Sequence, residues 1–145
     1  MNREEMIRLH DRHNEEELNQ GDLAVVDEIF APNYVRHVIG MPDIVGPEAE
    51  KQFTSSLRAA FPDIHFTIED CCVDGNKLFV RWRAEGTHEG EYMGIPATGK
   101  RVSVAGMAIH RIEKGQFQES WDMFDTLGML QQLGVIPAPS KSAVN

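Results

Sequence analysis

Cysteine is nearly absent from this chain, and its two copies, Cys71 and Cys72, are adjacent. Adjacent cysteines rarely bridge well, so no disulfide framework is expected, and free thiols in a reducing cytosol are. Basic charge is also scarce. Lys and Arg number 14 against 23 Asp and Glu, a net charge of −9, with no basic run to neutralise phosphates. Nucleic-acid binding is not expected from such a surface. No apolar run approaches the length of a membrane span, and the opening MNREEMIRLHDRHNEEEL is charged where a signal peptide needs an apolar stretch. A cytoplasmic protein without membrane contact is the expectation. The glycines at 86, 90, 94 and 99 do not make a GxGxxG phosphate loop. The histidines form no zinc motif, and no nucleophile elbow is present, so neither a metal nor a cofactor is expected.

What is present suits one folded unit. The chain has 145 residues, 41% hydrophobic and 26% charged, enough to bury a sizeable core. Asn2 and Glu5 stand at capping-box spacing before a helix marked by Met6, Leu9 and Leu18 and ended by Gly21. A second short helix runs from Asp22 with Leu23, Val26, Ile29 and Phe30 on one side. A strand follows Pro32, with Val35, His37 and Ile39 on one face. GMPDIVGP reads as a loop, and Pro47 opens a third helix. From Ile64 onward the period is two. One strand ends at the turn Asp74-Gly75-Asn76. The next carries Leu78, Val80, Trp82 and Ala84 on one face. A third carries Val102, Val104, Gly106, Ala108 and His110, and a fourth has Phe117, Glu119, Trp121 and Met123 in phase. A helix over Thr126–Leu133 closes the pattern. Helices grouped ahead of an antiparallel meander predict an α+β fold: a curved sheet closed by helices, a cone with a pocket inside. A single domain is expected over 1–136, with a loose tail at 137–145.

Asp125 is the foremost chemical candidate. Counting by two from Phe117 through Trp121 and Met123 lands on it, which would put a carboxylate on the apolar inward face. A desolvated carboxylate there would suit acid/base work near neutral pH. Equally, Asp125 directly precedes Thr-Leu-Gly-Met-Leu and fits the N-cap of the last helix. His110, one hairpin away, shares parity with Val104 and Ala108 and is either its partner or a satisfied core histidine. His37 lines the pocket or bonds to backbone. His88 is a structural or rim residue of the loop Gly86–Gly90. His10 and His13 are expected in solvent. Trp82 and Trp121 are core residues by default, and flat cavity walls otherwise. Arg83 and Arg111 fall on the outward face, which counts against a carboxylate–arginine site for epoxide opening.

GTHEGEYMGIPATGK, the strand after it, WDMFD and LGMLQQLG together resemble the signature of SnoaL-like polyketide cyclases, also called ester cyclases, of the nuclear-transport-factor-2-like superfamily. FAPNYVRH and RAAFPDIHFTIED resemble that family's first strand and its third helix with the following strand. Ala97 stands where the family often has a second proline. The resemblance implies a cofactor-independent intramolecular aldol condensation on an apolar, polyketide-like ester. Asp125 would be the acid/base, His110 its assistant and His37 a substrate-binding residue; read from their own positions, Trp82, His88 and Trp121 are further substrate-binding candidates. It also implies a homodimer formed through the outer sheet face, where Met107 and Ile109 lie. A non-catalytic binder of a small apolar ligand, or an isomerase or hydrolase, would fit the same fold.

Overall fold

The computed structural model describes residues 1–138, so most of the tail expected at 137–145 lies outside them. Asn2 opens α1 (Arg3–Asp11) with the expected capping box. Its side chain accepts from the Glu5 N–H at 2.8 Å, while Glu5 Oε2 accepts from the Asn2 N–H at 3.2 Å. The helix then widens into a π-helical segment, Arg12–Asn19, that buries His13, Asn14, Glu17 and Leu18. After α2 (Ala24–Ile29), Phe30 starts β1 (Phe30–Val38) instead of ending a helix. The loop expected around GMPDIVGP contains a two-residue strand, β2 (Ile44–Val45), paired antiparallel to β1. Pro47 occupies the first turn of α3 (Pro47–Ala60). The meander comprises β3 (His65–Asp74), β4 (Lys77–Thr87), β5 (Arg101–Glu113) and β6 (Gln116–Phe124), and α4 (Thr126–Leu133) ends at a left-handed Gly134 with φ 80°.

The six strands make one curved sheet in the order β2-β1-β6-β5-β4-β3. All pairs are antiparallel except β1 with β6, which are parallel. One apolar cluster joins Met6, Leu9, Val26 and Ile29 of the helices to Tyr34, Leu78, Ile112 and Phe117 of the sheet. A second joins Leu18, Leu57 and Phe61 to Phe66, Val102, Val104, Met129 and Leu133. Trp82 packs against both. Each such side chain, fully buried, contributes about 1.5–3 kcal/mol of transfer free energy. The loop after β4 is fastened to α3: the Ala60 carbonyl accepts from Glu89 N–H at 2.9 Å and Gly90 N–H at 3.1 Å. A Cβ at Gly90 would lie 2.5 Å from the Ala59 carbonyl oxygen, so only glycine permits this approach. Among the described residues no helix is long and apolar enough to cross a membrane.

Two strand faces differ from the sequence expectation. In the β5–β6 ladder, Ile112 opposes Phe117 and Arg111 opposes Glu119, so Gln118 is an extra residue. A one-residue bulge reverses the parity of everything beyond it. Phe117 points inward, but so do Ser120, Asp122 and Phe124, while Trp121 and Met123 are exposed. Counting by two through this point therefore fails. On β1 both faces carry apolar residues, and Tyr34, Arg36 and Val38 are the buried set. His37 is half-buried and Ile39 is 67% exposed.

Gly106 faces Trp82 across the β4–β5 ladder, and a Cβ there would sit 2.1 Å from the indole ring. Gly106→Ala is expected to displace Trp82 and destabilise the protein by about 1–3 kcal/mol, the usual range for overpacking. Urea denaturation followed by tryptophan fluorescence checks both effects. An unchanged midpoint and emission maximum would contradict it.

Candidate active site

Between the helices and the concave sheet face lies a cavity of about 110 Å³. Its apolar walls include Phe53, Leu57, Phe61, Phe66, Trp82, Val104 and Met129. Its polar wall is gathered from six elements: His10 of α1, His13 and Asn14 of the π-helical segment, Arg36 of β1 with Glu50 of α3, and His110 and Asp122 of β5 and β6.

Arg36 is the centre of this wall. Its Nε and Nη2 donate to the two carboxyl oxygens of Glu50 at 2.9 and 3.1 Å, and its Nη1 donates to Asp122 Oδ2. Burial alone would weaken its hold on a proton, but Asp122 and Glu50 outweigh that and keep it cationic. Behind Glu50, Glu17 meets His13 Nδ1 at 2.6 Å and accepts from the Thr54 hydroxyl at 2.6 Å. Burial lifts the Glu17 carboxyl, and lifts Glu50 to about 7, against the attraction of Arg36 and with the repulsion of Glu17.

The imidazoles are neutral. Burial, with Arg36 adding to it, drops His13 to about 4. His10 and His110 are held well below the usual histidine range by burial, by the neighbouring histidines and by Arg36. His10 and His110 have ring centroids 5.1 Å apart, and His13 stands 5.9 Å from His110. A hydrogen-bonded chain runs from Tyr34 to His110. The Tyr34 hydroxyl donates to Ser120 Oγ at 2.7 Å, and Ser120 Oγ lies 2.6 Å from His110 Nδ1. Burial holds the Tyr34 hydroxyl well above its usual range, so it keeps its proton and can donate.

The site thus sets the carboxyl groups of Asp122 and Glu50, the Arg36 guanidinium and neutral imidazoles against an apolar hollow. The sequence profile described as "SnoaL-like polyketide cyclase" matches residues 8–133. The chain belongs to the SnoaL-like polyketide cyclase family. It is a cyclase-like enzyme on the nuclear-transport-factor-2-like fold. It is 34% identical over 109 residues to the aklanonic acid methyl ester cyclase DnrD of Streptomyces peucetius, covering 74% of this chain and 72% of the relative. It is 31% identical over 112 residues to DauD of Streptomyces sp. strain C5, of the same description, covering 76% and 67%. The structure of TsrD from Streptomyces laurentii superposes with a TM-score of 0.85 at 29% identity, covering 94% of this chain and 99% of that one.

The candidates chosen from the sequence of this SnoaL-like chain divide into two groups. His110 and Trp82 line the cavity. Asp125 does not: it is exposed and caps α4, accepting from the Gly128 N–H at 2.8 Å. The bulge at Gln118 turns it away and turns Asp122 inward. His37 lies outside the cavity, against Glu119 Oε2 at 2.7 Å and Asp43 Oδ1 at 3.1 Å, and those partners raise its pKa. Trp121, 38% exposed, stacks on it with centroids 5.8 Å apart. His88 is buried behind Phe61, where its Nδ1 accepts from the Thr98 N–H at 3.2 Å. It does not reach the cavity surface.

The polar residues missed by periodicity are Asp122, Arg36, Glu50, Glu17, Asn14, His10 and His13. The last two, expected in solvent, are buried. Their signal was present: Met6, His10 and Asn14 repeat at four-residue spacing, as do Leu9, His13 and Glu17, continuing the buried stripe of the first helix. His13, Glu17 and Glu50 also bring three ligand atoms within 4.8 Å of one another, a grouping that sequence spacing did not mark. Arg36 already donates to both Glu50 oxygens.

Because Asp125 caps a helix outside the cavity, Asp125→Ala is expected to cost about 1 kcal/mol of stability and to leave ligand affinity and turnover unchanged. Thermal denaturation and steady-state kinetics on the same preparation test both halves, and a selective loss of turnover would contradict it.

Proposed function

We propose that this enzyme catalyses a cofactor-independent intramolecular aldol cyclisation of an apolar, polyketide-like ester, with Asp122 as general base. The observation that carries this reading is Asp122 as a carboxylate on the cavity wall, its side chain 12% exposed and gripped on one oxygen by Arg36. The other oxygen would take a proton from carbon flanked by two carbonyls, where the substrate's own acidity assists. The resulting enolate carbon attacks a carbonyl carbon held nearby. One C–C bond forms, the acceptor oxygen gains the proton, and no co-reactant is consumed. Neutral His110, in the tautomer with its proton on Nε2, would donate to the oxygen on which charge develops. The apolar walls orient the chain and exclude water, which in aligned intramolecular reactions lowers a barrier by about 7–11 kcal/mol.

A second reading, addition of water to an epoxide, is favoured by one feature: Arg36 lies inward between two carboxyl groups. Arg83 and Arg111, the arginines weighed from the sequence, instead pair with Glu69 and with Glu113 and Glu119.

One experiment serves both. Wild type and Asp122→Asn are assayed with aklanonic acid methyl ester and with an apolar epoxide. The cyclase reading expects ester turnover in wild type and a fall of about 10²–10⁴-fold in the variant, the usual weight of a general base. Undiminished turnover in Asp122→Asn would sink it, and turnover of the epoxide alone would favour the second reading.

We also propose a homodimer built on the outer face of β5 and β6. Met107 opposes Met123 there and Ile109 opposes Trp121, with Met107 and Met123 more than half exposed. Sedimentation at micromolar concentration should give twice the chain mass, and Met107→Glu should give the monomer. A wild-type monomer would overturn this.

A further inference from the structure

The Arg36 guanidinium is divided between two carboxyl groups. Glu50 takes two of its N–H donors and Asp122 a third. Glu17 stands on the far side of Glu50, within 4.8 Å, held in turn by His13 and Thr54. Three carboxyl groups thus share one fixed cation, and the side chains of Glu17 and Glu50 are wholly buried. With His13 neutral, full ionisation would leave two uncompensated negative charges in this interior. Desolvation opposes that strongly. The Glu17–Glu50 pair therefore retains a proton near neutrality, and a proton so shared belongs to the pair. The charge of the pair decides how Arg36 acts on Asp122. While the pair is protonated, the guanidinium charge falls mainly on Asp122 and weakens it as a base. Once the pair is ionised, Glu50 offsets that charge and Asp122 becomes the stronger base.

We propose that Glu50, backed by Glu17, is a positioning residue that sets the base strength of Asp122 through Arg36. The inference rests on the reading of Asp122 as the general base. Glu50 is faced by Arg36 from β1, by Glu17 and His13 from the π-helical segment, and by Asp122 from β6 across the guanidinium. Burial holds Glu50 at about 7. The sign follows from this. Below that pH the pair carries its proton and Asp122 is the weaker base, so turnover climbs as pH rises through about 7. A tenfold change in the basicity of a group corresponds to about one pKa unit.

Two measurements test it, and the first needs no substrate. The ¹³Cγ signal of Asp122, assigned by its loss in Asp122→Asn, is followed by NMR across neutral pH. It should inflect near pH 7 in wild type. The inflection should vanish in Glu50→Gln and move to lower pH in Glu17→Gln, where Glu50 is relieved of a like charge. The second is the pH profile of kcat with aklanonic acid methyl ester as probe. The same limb should appear, disappear in Glu50→Gln at the acid-side rate, and shift downward in Glu17→Gln, with KM little changed. A merely structural Glu50 would lower stability or rate at every pH and leave the limb in place. If Asp122 ignores the titration of the pair, or Glu17→Gln leaves the inflection where it was, the proposal is overturned. Should Glu50→Gln fail to fold, Glu17→Gln decides alone. Full turnover by Asp122→Asn would remove the acid/base reading, while the NMR signal still decides whether the carboxyl groups are coupled.

Discussion

A single buried guanidinium organises this protein. Arg36 emerges from β1, meets α3 through Glu50 and β6 through Asp122, and so ties a helix and two strands at the polar end of the cavity. An unpaired charge at that depth would cost several kcal/mol, and removing one partner from a buried pair commonly costs about 3–5. Neither carboxylate can leave without exposing that cost. The arrangement holds Asp122 to one orientation and leaves its second oxygen for the hollow. It also explains why the wall can be rich in histidine without carrying more positive charge, because Arg36 and burial together keep the rings neutral.

The apolar frame and the polar wall are made by different rules. The frame follows from alternation along β4 and β5, where Leu78, Val80, Ala84, Val102, Val104 and Ala108 are all buried. The wall depends on departures from regular geometry. The π-helical segment brings His13, Asn14 and Glu17 inward, and the Gln118 bulge brings Asp122 inward. Irregular backbone at such positions is common where chemistry must be aimed.

This division also marks what the sequence could yield. The capping box at Asn2, the proline start of α3, the hairpin turns at Gly75 and Gly115, and the face of β5 carrying His110 all follow from local rules and stand as read. The α+β cone and the family signature were legible for the same reason. Asp122 was not, because one extra residue in a ladder leaves no mark on composition or hydropathy yet reverses every later side chain. Asp125 drew attention by false parity, and its capping role was the reading that its place before Thr126 supported. Arg36 was hidden because both faces of β1 carry large apolar residues. The pairing of Glu50 and Glu17 joins positions 33 residues apart in sequence (50 − 17), which no spacing rule connects.

The clasp at the end of α3 bears on how such a protein can diversify. Ala60 holds the segment after β4 by one carbonyl, with glycine at 90 to let the backbones meet, and Tyr92 and Ile95 then fold back over the second apolar cluster. Among the described residues that segment makes no hydrogen bond to Arg36, Glu50 or Asp122, and Tyr92 lines the same cavity. The segment's length and bulk can therefore drift, reshaping the space offered to a molecule's far end, while the reactive end stays fixed. Chemistry and molecular size are set by separate, independently variable parts.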